Sequence, residues 1–139
     1  MKKSYLKRKG QSETALIKDE IQTKLRQYAI ERDGGCVFRD YPETGACGGH
    51  RKDGELILQY DHLNSRSNAI SYADERLGIC VCKRHHLFYK RQYPAKYEEL
   101  ARKVIGKERC KLLDQVRADY RTYKMDWKLE LLRLNKLVL

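Results

Sequence analysis

Four of the five cysteines and all four histidines of this chain fall between residues 36 and 86, and Cys110 alone lies outside that window. Thiols and imidazoles crowded together in this way point to a transition-metal site, zinc above all. Cys36, Cys47, Cys80 and Cys82, with His50, His62, His85 and His86, are the candidate ligands. An odd cysteine count with no apolar leader argues for reduced thiols over a disulfide framework, so a cytoplasmic, intracellular setting is expected.

Charge is distributed in the opposite sense. Residues 1–35 carry 9 basic and 5 acidic side chains, residues 36–86 carry 7 of each, and residues 87–139 carry 14 and 7, so the net +11 belongs to the flanks. A neutral Cys/His centre between basic flanks fits a metal site held against a polyanion, because Lys and Arg release counterions when they meet phosphates. Ordinary solvation is the competing use of the same charge. No apolar run of about 18 residues is present, which excludes a membrane-spanning helix, and the length suits a single domain.

Local patterns divide the chain further. Residues 1–11 hold five basic groups and no acid, and read as a flexible basic arm. From an N-cap at Ser12, Leu16, Ile17, Ile21, Leu25, Tyr28 and Ala29 recur at helical steps until Gly34 and Gly35. Residues 36–54 read as a loop. Glu55–Leu63 and Leu77–Cys82 have strand composition, and Pro94 separates a short helix over 83–92 from another over 95–105, stopped by Gly106. In the last segment, Leu112, Val116, Tyr120, Tyr123, Trp127, Leu131, Leu134 and Val138 step by three or four, predicting one amphipathic helix over 107–139. That stripe either packs on the core or, if exposed, makes a homodimer.

Within the window, Cys82-Lys-Arg-His85 has the two-residue spacing that lets two ligands at a strand-to-helix turn reach one ion. The second pair is most simply Cys36 and Cys47, with Cys47-Gly-Gly-His50 as a rival and Cys80 as a substitute for one ligand. Cys110 and, in preference to a ligand role, Cys80 read as small buried hydrophobes. Adjacent helical side chains point about 100° apart, so His85 and His86 serve different purposes. If His85 holds zinc, His86 is free for a second metal, with Asp61 as its partner. His62 beside it has an imidazole whose ordinary pKa of about 6.5 suits a general base.

The stretches Arg32–Phe38 (RDGGCVF), Tyr60–Leu63 (YDHL) and Cys82–His86 (CKRHH) together resemble the HNH, or ββα-metal, nucleases over about residues 30–92. More loosely, Ser65–Gly78 and Glu98–Arg109 are similar to phage NinG-type recombination proteins, which implies a prokaryotic or phage-encoded protein. The resemblance implies an α+β fold: a zinc-stabilised ββα-metal core over 12–106, with an N-terminal helix and the helical C-terminal extension of 107–139. It further implies that His62 activates water and that Asp61 and His86 hold one catalytic Mg²⁺ or Mn²⁺. Cys36, Cys47, Cys82 and His85 would bind structural zinc. Where the family has an Asn shortly before the second strand, this chain has Glu75, Arg76 and Leu77. Lys90, four residues after His86 and so on the same helix face, is a candidate phosphate contact, as are Arg66 and Arg84. The implied activity is DNA cleavage, on branched or recombining DNA. Two alternatives stand beside it: a non-catalytic zinc-stapled nucleic-acid-binding protein, and an interaction subunit built on the C-terminal stripe.

Overall fold

A computed structural model describes residues 12–119, 121 and 123–138, so the basic arm of residues 1–11 and Tyr120 of the stripe lie outside the described residues. The architecture is mixed α+β. Helix α1 (Glu13–Asp33) opens at Ser12, whose hydroxyl accepts the Ala15 N–H at 3.1 Å, and closes at Gly34 with φ 71°. Such a left-handed closing residue favours glycine. Ile21, Leu25 and Ala29, four residues apart, form the buried stripe of α1.

Residues 37–44 then make two 3-10 turns, Val37–Asp40 and Pro42–Thr44. Strands β1 (Leu58–His62) and β2 (Gly78–Cys82) pair antiparallel, with Tyr60 opposite Cys80 and Asp61 opposite Ile79. Between them lie the short helix α2 (Ala69–Tyr72) and a 3-10 turn, Glu75–Leu77. After β2 the chain enters a π-helical turn (His85–Tyr89) continuous with α3 (Lys90–Gln92), and then α4 (Pro94–Arg117). Gly106, at φ 82° and ψ 174°, breaks α4 where the sequence places a stop.

The two-stranded sheet separates two cores. Tyr60, Cys80 and Tyr72 pack with Ile21, Leu25 and Ala29 of α1, whereas Ile79, Val81 and Cys82 pack with Phe38, Tyr97, Leu100, Leu113 and Val116. Gly78 is required by this arrangement, because a Cβ there would overlap the ring of Tyr60. That ring crosses Gly78 to donate its hydroxyl to the Asp74 carbonyl at 3.0 Å.

The continuous helix expected over 107–139 is interrupted. Helix α4 ends at Arg117, and α5 (Trp127–Leu137) begins afresh behind an Asp126 cap whose carboxylate accepts the Leu129 N–H at 3.1 Å. Asp119 likewise accepts the Arg121 backbone N–H at 3.0 Å. Aspartate side chains that satisfy nearby backbone donors compete with helix, and the three-to-four spacing of the apolar residues carries no sign of it. The break turns α5 back onto α1, where Leu134 is fully buried and Trp127 and Leu131 are partly covered. The stripe's C-terminal half is thus spent within the chain, while Leu129, Leu132 and Leu137 stay exposed. No helix among the described residues is long and apolar enough to cross a membrane.

Candidate metal centre and candidate active site

Cys36 follows α1, Cys47 sits in the loop beyond the 3-10 turns, and Cys82 and His85 flank the turn out of β2. Their ligand atoms all lie within 4.8 Å of one another, a Cys3His cluster that could hold a metal such as zinc. From His85 Nδ1 the distances to the sulfurs of Cys82, Cys36 and Cys47 are 2.9, 3.6 and 3.8 Å. Zinc–sulfur bonds of about 2.3 Å and zinc–nitrogen bonds of about 2.05 Å at tetrahedral angles put such atoms about 3.6 Å apart. Two of the three distances already suit the ion, and the Cys82–His85 approach, at 2.9 Å, would open by about 0.7 Å.

The far side of the ring is also held. His85 Nε2 lies 2.8 Å from Thr44 Oγ1 and 3.1 Å from the Gly45 carbonyl, and Thr44 Oγ1 lies 2.7 Å from the Tyr41 carbonyl. Nε2–H therefore donates to Thr44, and the threonine hydroxyl donates onward to Tyr41, which leaves Nδ1 as the lone-pair nitrogen aimed at the sulfurs. Burial pushes the Cys36 thiol up to about 12, against backbone hydrogen bonds from Cys82 and Phe38, and burial raises Cys47 as well. Without an ion both thiols stay protonated, so metal binding must expel protons.

Other sequence candidates lie elsewhere. His50 is exposed, bridged to Leu56, and Cys80 faces the α1 core from the opposite side of the sheet to Ile79 and Val81. Cys82, two residues on, reaches the cluster because the chain leaves the strand there. Cys110 is partly buried against the other core and its thiol donates to the Arg102 carbonyl. Arg84, expected on phosphate, donates instead to the carbonyls of Thr44 and Ala46 at 3.1 and 2.8 Å and braces the cysteine loop.

A second constellation lines a cleft of about 370 Å³ that includes Asp61, His62, Arg66, His86 and Lys90. Asp61 is 3% exposed. Its Oδ1 is 3.2 Å from His86 Nε2, its Oδ2 accepts from the Tyr97 hydroxyl at 2.6 Å, and Lys90 Nζ is 2.8 Å from Oδ1 and 2.9 Å from Oδ2. Burial works to raise this carboxyl, but the contacts with His86, Lys90 and Tyr97 overcome it and hold the group below its usual range. His86 Nδ1 lies 2.7 Å from Gln59 Oε1, and the hydrogen bond from Nε2 to Asp61 is among the contacts that lower the carboxyl, so a cation between Nε2 and Oδ1 would take the place of that proton. A carboxylate oxygen and an imidazole nitrogen 3.2 Å apart suit neighbouring positions on an octahedral cation, for which bonds of about 2.1 Å imply a separation of about 3.0 Å.

His62, at the end of β1, projects to the other side of the strand between Tyr60 and Tyr72, with ring centroids 4.9 and 5.1 Å away. Nε2 lies 3.0 Å from the Tyr72 carbonyl, which can only accept. Nε2 is therefore protonated and Nδ1 is the basic atom. Burial lowers the pKa of His62 and Arg66 pushes the same way, against the Tyr72 hydrogen bond, so the ring is neutral at neutral pH.

Thr44, Gln59, Tyr72 and Tyr97 were not singled out by the sequence reasoning. Gln59 could have been, since it lies two residues before Asp61 on the same strand face. Nothing local marks the others. The chain matches no known protein family, no curated protein and no solved structure.

Proposed function

We propose that this chain is a metal-dependent DNA endonuclease of the HNH kind, with His62 as general base and Asp61 and His86 as the ligands of one Mg²⁺ or Mn²⁺. The observation that carries the reading is the 3.2 Å approach of His86 Nε2 to Asp61 Oδ1, in one cleft with a neutral His62. A divalent cation at that pair would polarise a phosphodiester and offset charge on the departing sugar oxygen. His62 Nδ1 takes the proton of a water as its oxygen bonds to phosphorus, and the Tyr72 carbonyl stabilises the imidazolium that results. The bond from phosphorus to the 3′ oxygen breaks, that oxygen takes a proton from solvent, and the ends are 5′-phosphate and 3′-hydroxyl. Gln59 orients the ring of His86, Tyr97 orients the carboxylate of Asp61, and Arg66, which lines the cleft, would face the phosphate backbone. The Cys3His cluster, one residue before His86, would pin the turn that aims it.

The Asp61–Lys90 ion pair favours a second reading, a non-catalytic zinc-stapled nucleic-acid-binding protein in which Lys90 already neutralises the carboxylate. Plasmid nicking separates the two. With Mg²⁺ or Mn²⁺ the wild-type protein should nick supercoiled DNA, and His62→Ala should be slower by about 10²-fold or more at equal zinc content. Undiminished nicking by the variant removes His62 from the mechanism. DNA binding by the wild type with no nicking under either cation decides for the second reading.

A further inference from the structure

Two cationic claims converge on one oxygen. Asp61 Oδ1 faces His86 Nε2 at 3.2 Å and also receives Lys90 Nζ at 2.8 Å. The Tyr97 hydroxyl donates to Oδ2 at 2.6 Å and Lys90 Nζ reaches that oxygen too, at 2.9 Å, so Oδ1 is the atom that His86 and Lys90 share. An ammonium and a divalent cation on that oxygen compete for the same negative charge and repel one another. Lys90 is the movable party: its flexible stem lies beside the Tyr97 ring, with Nζ 5.3 Å from the centroid, and its side chain is 39% exposed. Asp61 and the ring of His86, by contrast, are tied to Tyr97 and Gln59.

We propose that Lys90 is the competitor that sets how tightly this cleft takes a divalent cation, and that the ammonium released by the exchange turns to the phosphate of nucleic acid bound there. The inference rests on the proposed use of Asp61 and His86 as cation ligands, and it adds a coupling. Phosphate that draws Lys90 away from Asp61 tightens the cation, and by reciprocity the cation tightens the polyanion. In the absence of nucleic acid the same lysine keeps the carboxylate neutralised and cation occupancy low.

The test reads cation binding directly, without turnover. Free Mn²⁺ is followed by its paramagnetic resonance signal while it is titrated into zinc-loaded protein: wild type, Lys90→Met and Lys90→Arg, with Asp61→Asn marking background. Lys90→Met should bind Mn²⁺ about tenfold tighter or more, the scale of one charge-assisted hydrogen bond, and Lys90→Arg, which keeps the cation, should stay near wild type. Equal or weaker Mn²⁺ binding by Lys90→Met, with the wild type binding normally, overturns the competition and leaves the endonuclease reading standing. Mn²⁺ binding by neither protein above the Asp61→Asn background removes the cation site, and both proposals fall. Zinc content and far-ultraviolet dichroism verify folding, and Lys90→Gln repeats the comparison if the methionine variant does not fold.

Discussion

Replacing Thr44 by valine tests the metal centre without touching a ligand. The two side chains have nearly the same volume, and Thr44 is 1% exposed, so the substitution removes a hydroxyl and little else. Two hydrogen bonds go with it: the one accepted from His85 Nε2–H at 2.8 Å and the one donated to Tyr41 at 2.7 Å. Losing an outer partner of a ligating histidine weakens metal binding by about 10- to 100-fold, or about 1.4–2.7 kcal/mol. The Gly45 carbonyl, 3.1 Å from Nε2, remains as a second acceptor, which places the expected loss near tenfold. Competition for zinc against a chromophoric chelator measures this directly. Thermal unfolding in excess zinc should fall with it, since a ligand that binds the folded state adds stability through its dissociation constant. Zinc affinity within twofold of wild type would refute the reasoning, because His85 Nδ1 could not then be a ligand whose ring Thr44 orients. A fall in stability at unchanged affinity would make Thr44 a brace of its own loop and nothing more.

The docking of α5 on α1 predicts a sharp contrast between two leucines. Leu134→Ala, at a fully buried position, should cost about 2–5 kcal/mol in urea unfolding, whereas Leu132→Ala, 59% exposed, should stay within about 0.5 kcal/mol. Similar losses for the two would mean that α5 does not pack as described. Gly78→Ala should destabilise by more than about 2 kcal/mol and change the tyrosine fluorescence, since the added methyl claims the space of the Tyr60 ring and forces it off the Asp74 carbonyl. A variant as stable as wild type would show that the β1–β2 pair leaves more room there than the structure gives it.

Much of the molecule was legible in one dimension because its signals are local. The cap at Ser12, the glycine stop at Gly34 and the four-residue recurrence of Ile21, Leu25 and Ala29 lie within single turns of α1. Strand composition located β1 and β2 to within three residues, and the Cys82–His85 spacing already described one pair of the Cys3His cluster. The 107–139 stripe misled for the same reason: its period is local, but the Asp119 side chain beyond the end of α4 and the Asp126 side chain that caps the start of α5 act through backbone donors that apolar spacing does not register.

What tertiary structure alone decided are the closures between distant segments. Cys36 and Cys47, the pair the sequence favoured without excluding His50 or Cys80, meet Cys82 because α1 and the 3-10 turns lay the loop over the end of β2. Tyr97 meets Asp61 across 36 residues and Lys90 across 29, so a lysine that reads as a surface cation becomes the counter-ion of a buried carboxylate. Residue type dictates which chemistry a side chain can offer. Which groups share an oxygen or an ion depends on the path of the intervening chain, and that path is set by the burial of apolar faces against one another.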